Sequence, residues 1–257
     1  MILAIDVGNT NITVGCITGG DIVQVFRIST NAARTSDEFA IQINNMLTFR
    51  GIQSTKIGGA VISSVVPPLT NTFKDAVRQL AQVEALIVGA GVKTGLNILI
   101  DDPAQLGADM VATAVGALSK YTPPLIIVDM GTATKMYVLN KGGSFLGGSI
   151  MSGLALSMDA LAAGTSQLPR IPIEAPPKSI STNTIDCIKS GVVLGAAAMV
   201  DGMVARYEEE LGQKAMVIAT GGLAEPVYRH CKHPITHDPT LILHGLGIIF
   251  EKNKKKS

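Results

Sequence analysis

The sequence predicts an α/β protein built from two similar domains in tandem, and three observations carry this. Short apolar runs, such as 2–7, 12–17, 60–66, 125–128 and 217–220, alternate with segments of helical periodicity, the pattern of buried strands covered by helices. A unit of strand, Asp, glycine-containing turn and second strand occupies 2–17 and returns at 125–139. Pro123-Pro124 stands just before the second copy, so the domains are expected at 1–118 and 119–257, with a cleft between them.

Length and composition agree. A chain of 257 residues holds one large domain or two of roughly 120–130 residues. Hydrophobic residues make up 47% and charged ones 16%, which excludes a wholly disordered chain. No apolar run approaches the ~20 residues of a membrane span; the nearest, 191–200, ends at Asp201. Four of the 21 basic residues, Lys252, Lys254, Lys255 and Lys256, lie in the last six positions, so the rest is mildly acidic and the tail reads as a solvated terminus. No basic patch interleaved with aromatics is present, which argues against nucleic acid as a partner. Cys16, Cys187 and Cys231 lack zinc-type spacing. Cys231 between His230 and His233 reads better as a surface turn near Pro234 than as a metal site. Unpaired cysteines and an N-terminus without a basic leader point to the reducing cytoplasm.

Along the chain, strand 2–7 turns through Gly8-Asn9-Thr10-Asn11 into strand 12–17, and Gly19-Gly20 marks a hairpin to 22–28. Residues 36–49 form a helix, with Ser36 as its cap and Phe39, Ile43, Met46 and Leu47 on its apolar face. Strand 60–66 stops at Pro67-Pro68, helix 70–81 follows, and 85–88 resumes the sheet. Asp102-Pro103 starts a helix running to about Lys120, with Asp109 among the small residues Ala112, Thr113 and Gly116. Strand 125–128 reaches Asp129 and turns through Gly131 and Thr132 into strand 135–140.

A strand that ends in Asp and enters a glycine turn suits metal-bound nucleotide phosphates. Glycine lets backbone N–H groups approach phosphate oxygens, the Thr10 and Thr132 hydroxyls add donors, and Asp6 can hold Mg2+ directly or through water. One such turn is also an ordinary β-turn; two copies together with Thr220-Gly221-Gly222 shift the reading. This third segment leaves a surface free of side chains for an adenine or ribose ring, and serves equally well as a turn into a helix at Ala224.

The ordered stretches IDVGNTNITVG (5–15), RTSDEF (34–39), SSVVP (63–67), DPAQLGAD (102–109), VDMGTAT (128–134), GGSIMSG (147–153), LPRI (168–171), NTIDCIKSG (183–191), TGGLAE (220–225) and DPTLILHGLG (238–247) together resemble the type III pantothenate kinases over nearly the whole chain. The resemblance implies duplicated actin-like (ribonuclease H-like) domains with a nucleotide cleft. It implies ATP-dependent phosphorylation of pantothenate to 4'-phosphopantothenate, the first step of coenzyme A biosynthesis. ATP, Mg2+ and a monovalent cation (K+ or NH4+) are its implied cofactors, and a homodimer with the substrate pocket near the interface its implied assembly. Apolar segments 154–163 and 191–205 suit such an interface, or a core.

Carried over by residue, the resemblance makes Asp6 the Mg·ATP carboxylate and Gly8, Asn9, Thr10 and Asn11 the first phosphate loop. Thr132, Gly221 and Gly222 serve the nucleotide. Asp109 becomes the general base toward the pantothenate hydroxyl, beside the substrate-binding residues Ile100, Gly107, Ala108, Met110 and Thr184. Asp129 becomes the ligand of the monovalent cation. Several positions depart from the family pattern. Met110 replaces an Arg and with it a planar five-donor fork. Ile100 stands where Tyr is frequent, Tyr137 replaces an acid, and Ser152 replaces a common Pro. Lys135 replaces a hydroxyl, where it can restore positive charge or occupy the monovalent-cation site as a tethered ammonium. These departures leave two readings: a pantothenate kinase with altered affinity or cation demand, and a divergent paralogue with another substrate or a non-catalytic regulatory role.

Overall fold

In the computed structural model, which describes residues 1–254, the chain forms two compact units. The first comprises Met1–Leu96, Asp101–Lys120 and the described residues from Thr240 on; the second comprises Asn97–Ile100 and Tyr121–Pro239. The lysine tail expected at the terminus falls partly outside the described residues, at 255 and 256.

Unit 1 begins with an antiparallel meander of β1 (Ile2–Val7), β2 (Asn11–Thr18) and β3 (Asp21–Ser29). Gly19 and Gly20 turn the β2–β3 hairpin with φ of +64° and +95°, a conformation that side chains with a Cβ resist. Next, β4 (Gly59–Ser64) pairs parallel with β1 and β5 (Ala85–Ile87) pairs parallel with β4, giving the order β3-β2-β1-β4-β5. Helix α1 (Ser36–Phe49) is capped one residue earlier than expected. Thr35 accepts the Glu38 N–H while the Glu38 carboxylate accepts the Thr35 N–H at 2.8 Å, a reciprocal pairing that Ser36 cannot make. In α2 (Pro67–Ala81) the two prolines open the helix instead of ending the strand; their missing N–H groups would be unsatisfied in a first turn anyway. The core joins Leu3, Ile5, Ile12, Val14, Phe39, Ile43, Ile62 and Phe73, each worth about 1.5–3 kcal/mol of apolar burial.

The helix expected from Asp102 is divided. Asp102 accepts the Ala104 N–H at 3.0 Å and caps a 3₁₀ turn, Pro103–Gln105. Leu106 is then extended (ψ 123°) and interrupts the hydrogen-bond ladder, so α3 runs Ala108–Lys120.

Unit 2 repeats the plan. Strands β6 (Leu125–Met130), β7 (Ala133–Leu139) and β8 (Phe145–Ser152) form an antiparallel meander, and β9 (Met216–Thr220) and β10 (Ile235–His237) extend it in parallel on the other side of β6. The order β10-β9-β6-β7-β8 is that of unit 1 read from the opposite edge, so the fold is a duplicated actin-like α/β architecture. Helices α4 (Leu154–Gly164), α5 (Thr184–Lys189), α6 (Gly195–Leu211) and α7 (Glu225–Tyr228) complete this unit. A π-helical turn at Ser190–Leu194 joins α5 to α6. The resulting run Thr184–Leu211 is long and apolar enough, by length and composition, to cross a membrane; Val192, Val193, Ala197, Val200 and Val204 bury themselves against Ile126, Val128, Val217 and Ala219.

Helix α8 (Leu241–Asn253) returns to unit 1. Here the structure differs from the expected 119–257 unit, and two glycines supply the reason. A Cβ at Gly116 would lie 2.0 Å from the Leu241 carbonyl oxygen, and one at Gly245 would lie 1.7 Å from that of Ala112. Helices α3 and α8 therefore cross backbone on backbone, burying Leu241, Leu243, Leu246 and Ile249 completely. Asn253 fastens the helix end, accepting the Lys93 N–H at 3.0 Å and donating to the Lys93 carbonyl at 2.9 Å.

Candidate functional site

Unit 1 gathers the first phosphate turn and the expected base around the C-terminal ends of β1 and β4. Asp6 sits one residue from the end of β1, in register with Thr13 of β2 and Ser63 of β4. The Gly8 N–H donates to the Asn11 carbonyl at 3.1 Å, and a Cβ at Gly8 would come within 2.9 Å of that oxygen, so the turn stays tight only with glycine. Asn9, Thr10 and Asn11 are exposed. Thr30 braces the turn from β3's end: its hydroxyl donates to the Gly8 carbonyl at 2.7 Å and its N–H to the Thr10 carbonyl at 3.0 Å. Sequence reasoning missed Thr30, because nothing local marks a residue that acts across a hairpin.

Ser63 was likewise unnoticed as a site residue. Its hydroxyl is buried with no hydrogen-bond partner, beside Asp6 in the sheet register. A buried orphan hydroxyl is costly, and a carboxylate with an adjacent hydroxyl is the oxygen donor set that Mg2+ takes, usually alongside retained waters. The residues present fit that ion. The SSVVP stretch contained Ser63, but only the parallel register placed it next to Asp6.

Asp109 lies in the first turn of α3. Its Oδ1 accepts the Met110 N–H at 2.8 Å, and its carbonyl accepts the Thr113 hydroxyl at 2.8 Å. A Cβ at Gly107 would stand 2.5 Å from Asp109 Oδ1 and 3.9 Å from Val65, just past β4. Gly107, Ala108, Asp109 and Met110 are all half-buried. Thus β4 leads from Ser63, beside Asp6, to Val65, beside the Asp109 turn.

Unit 2 holds the second turn. Asp129 pairs in register with Lys135 of β7 and Thr220 of β9. Lys135 Nζ stands 2.7 Å from Asp129 Oδ2, with 17% and 16% of the two side chains exposed. This donor set does not fit a dissolved monovalent cation at Asp129, since the chain's own ammonium already sits on the carboxylate. Gly131 donates its N–H to the Ala133 carbonyl at 3.1 Å. Two glycines press on the turn: a Cβ at Gly153 would lie 2.3 Å from the Thr132 carbonyl oxygen, and one at Gly221 (φ +93°) 2.5 Å from that of Met130. Gly222 follows at a position with open space. Backbone-on-backbone packing of this kind leaves the surface around Thr132 bare of side chains. Gly153, matched only as part of a longer stretch, is the residue here that sequence reasoning failed to single out.

Other expected substrate residues also belong to unit 2. Ile100 lies 3.9 Å from where a Gly147 Cβ would be, after Leu99 donates its N–H to the Phe145 carbonyl. Thr184 opens α5, exposed, beside an Asn183 cap that accepts the Asp186 N–H. Of the remaining departures, Tyr137 is a fully buried core residue stacked on Phe145 at 5.3 Å. Ser152 shares a 2.9 Å hydrogen bond with Ser157 of α4.

Two of the three thiols, Cys16 and Cys231, are held in the unreactive protonated form. Burial pushes Cys16 up to about 11, with Arg50 opposing, and burial with the Asp201 charge pushes Cys231 up to about 12. Both stay protonated near neutrality, which removes a thiolate ligand or nucleophile. His233 turns its Nδ1 to Asp201 at 3.0 Å, and among the described residues no cluster of three or more His, Cys, Asp or Glu side chains is placed to hold a metal ion.

A profile of the type III pantothenate kinases matches residues 2–206. The chain is 41% identical over 253 residues to the type III pantothenate kinase of Myxococcus xanthus, covering 98% of this chain and 99% of that one. It is 42% identical to that of an Anaeromyxobacter species, covering 99% and 100%. Component A of the (R)-2-hydroxyglutaryl-CoA dehydratase of Acidaminococcus fermentans shares the fold, with a TM-score of 0.57, 15% identity and coverage of 96% and 95%. Matching sequence along its whole length, with the Asp-Gly turns in equivalent places of a duplicated fold, the chain belongs to the type III pantothenate kinase family.

Proposed function

We propose that this chain transfers the γ-phosphoryl group of ATP to the hydroxyl of pantothenate, giving 4'-phosphopantothenate and ADP. The observation that carries the reading is the pairing, within unit 1, of a carboxylate-ended strand and glycine turn with a second carboxylate at the start of α3, in a chain of this family. ATP is the phosphoryl donor; Asp6 beside Ser63 would hold Mg2+, which would supply charge neutralisation for the phosphates when bound. In unit 1 the turn at 8–11 offers backbone N–H groups to phosphate; in unit 2 the turn at 131–132 and the bare surface at Gly221–Gly222 are the segments the family resemblance gives to the nucleotide. Asp109 takes the proton from the attacking hydroxyl, with Gly107, Ala108 and Met110 beside it in unit 1; Ile100 and Thr184 of unit 2 are the further acceptor residues that the family resemblance implies. Phosphoryl transfer asks mainly for positioning and charge neutralisation, so one base and a fixed set of donors suffice.

The test is release of ADP from Mg·ATP with pantothenate, for the wild type and Asp109→Asn. Loss of a general base costs roughly 10²–10⁴ in kcat, and nucleotide affinity should not change. A variant as active as wild type, or a wild type as inactive as the variant, would refute the assignment.

A further inference from the structure

The two units place a carboxylate at equivalent strand ends but surround it differently. In unit 1, Asp6 has Thr13 on its antiparallel neighbour and Ser63 on its parallel neighbour. In unit 2, Asp129 has Thr220 on the parallel side, and on the antiparallel side Lys135 replaces the hydroxyl. Residues directly opposite on an antiparallel pair share a face of the sheet, and here they meet at 2.7 Å. That is the length of a charge-assisted hydrogen bond. With little of either side chain in water, salt screens the pair weakly. A lysine ammonium is a compact point charge with three donors on a flexible stem, chemically a substituted ammonium ion that cannot diffuse away.

We propose that Lys135 is a built-in monovalent cation, which takes the place at Asp129 of the dissolved K+ or NH4+ implied there by the family resemblance. Its ammonium neutralises the carboxylate beside the Gly131–Thr132 turn, and the protein works with Mg2+ as its sole dissolved cation. A dissolved monovalent ion at Asp129 would have to dislodge a tethered charge or sit beside a like one. In its consequence for catalysis the proposal rests on the kinase reading; in its consequence for ion binding it does not.

Two measurements on the whole chain test it, both comparing KCl and NH4Cl with choline chloride at equal ionic strength. In the rate assay, wild type responds to neither K+ nor NH4+, whereas Lys135→Thr, which restores the unit 1 arrangement, falls roughly tenfold and recovers with NH4+ as a lost buried ion pair is replaced. In thermal unfolding without substrates, Lys135→Thr gains roughly 3 °C in Tm from K+ or NH4+ by mass action, and wild type gains nothing over choline. Specific activation or stabilisation of wild type by either ion overturns the proposal, whatever the folding of the variant. So does a folded variant that responds to neither ion in either assay. Absence of any rate with pantothenate would defeat the kinase reading instead, and the unfolding experiment would still decide the role of Lys135.

Discussion

Asp109 leans back on the start of its own helix, and Gly107 is what allows it. Alanine at 107 would put a Cβ 2.5 Å from the carboxylate oxygen. The atom in its way is the end of a side chain rather than backbone, so the protein can fold and the carboxylate must turn aside. We expect Gly107→Ala to leave Tm nearly unchanged and to lower kcat by roughly 10–100-fold, as for a reacting group displaced by about an ångström. Unchanged kcat in steady-state kinetics would mean that this pose of Asp109 is not the working one. Asp6 and both glycine turns stand out in the sequence because their chemistry and spacing are local, whereas Asp109 is singled out as a base only by the family resemblance. Ser63, Thr30 and Gly153 do not stand out. Each matters through a partner 20 to 60 residues away that only sheet register or turn packing supplies. The Lys135–Asp129 contact lay between these cases: the residue stood out as a departure, and the cross-strand register gave it a partner.

Elements were legible by type and less so at their ends. The apolar stripe of α1 marked the helix, but Thr35 and Ser36 are chemically equivalent as caps, and only Glu38 three residues after Thr35 separates them. Pro67-Pro68 signals a break from either side; the structure uses it to open α2. Helix α6 shows how an element is tied to the loop facing it. Asp201 accepts the N–H groups of Lys232 and His233, at 2.8 and 3.0 Å, and the His233 ring. Burial pushes this carboxyl up, but those three donors outweigh it and hold the pKa below the usual carboxylate range. In the unfolded chain the group binds its proton more readily, so the clasp stabilises above the ordinary carboxylate pKa of about 4 and is lost as pH falls through the lower folded value. Asp201→Asn should therefore unfold at lower temperature than wild type at pH 7, and the difference should shrink as pH drops below about 4. A difference that stays constant down to pH 2 would remove the clasp from the acid response.

At the scale of the whole molecule, the repeated Asp-Gly unit revealed the duplication because each copy is contiguous, at 2–17 and 125–139. The return of α8 to unit 1 was hidden, since its partners in α3 precede it by more than a hundred residues. Apolar periodicity in 241–253 shows that a helix forms, not which sheet it covers. A chain ended after Pro239 would lose four fully buried side chains, Leu241, Leu243, Leu246 and Ile249, each worth about 2 kcal/mol, against a net stability of about 5–15 kcal/mol for a domain. Hydrogen exchange on that truncated protein should show β1 and β4 unprotected, and protection equal to that of the full chain would show α8 to be dispensable.

Synthesis on the ribosome gives the same feature a temporal meaning. The helix that seals unit 1 emerges only after residues 121–239 have been made, on the order of ten seconds later at cellular elongation rates. Nearly all of unit 2 is continuous in the chain and meets its partners as they appear. The half of the nascent protein born first is thus the half completed last, and until then Gly15, Gly59 and Gly116 present to the cell the bare backbone on which Leu243, Phe250 and Leu241 will settle.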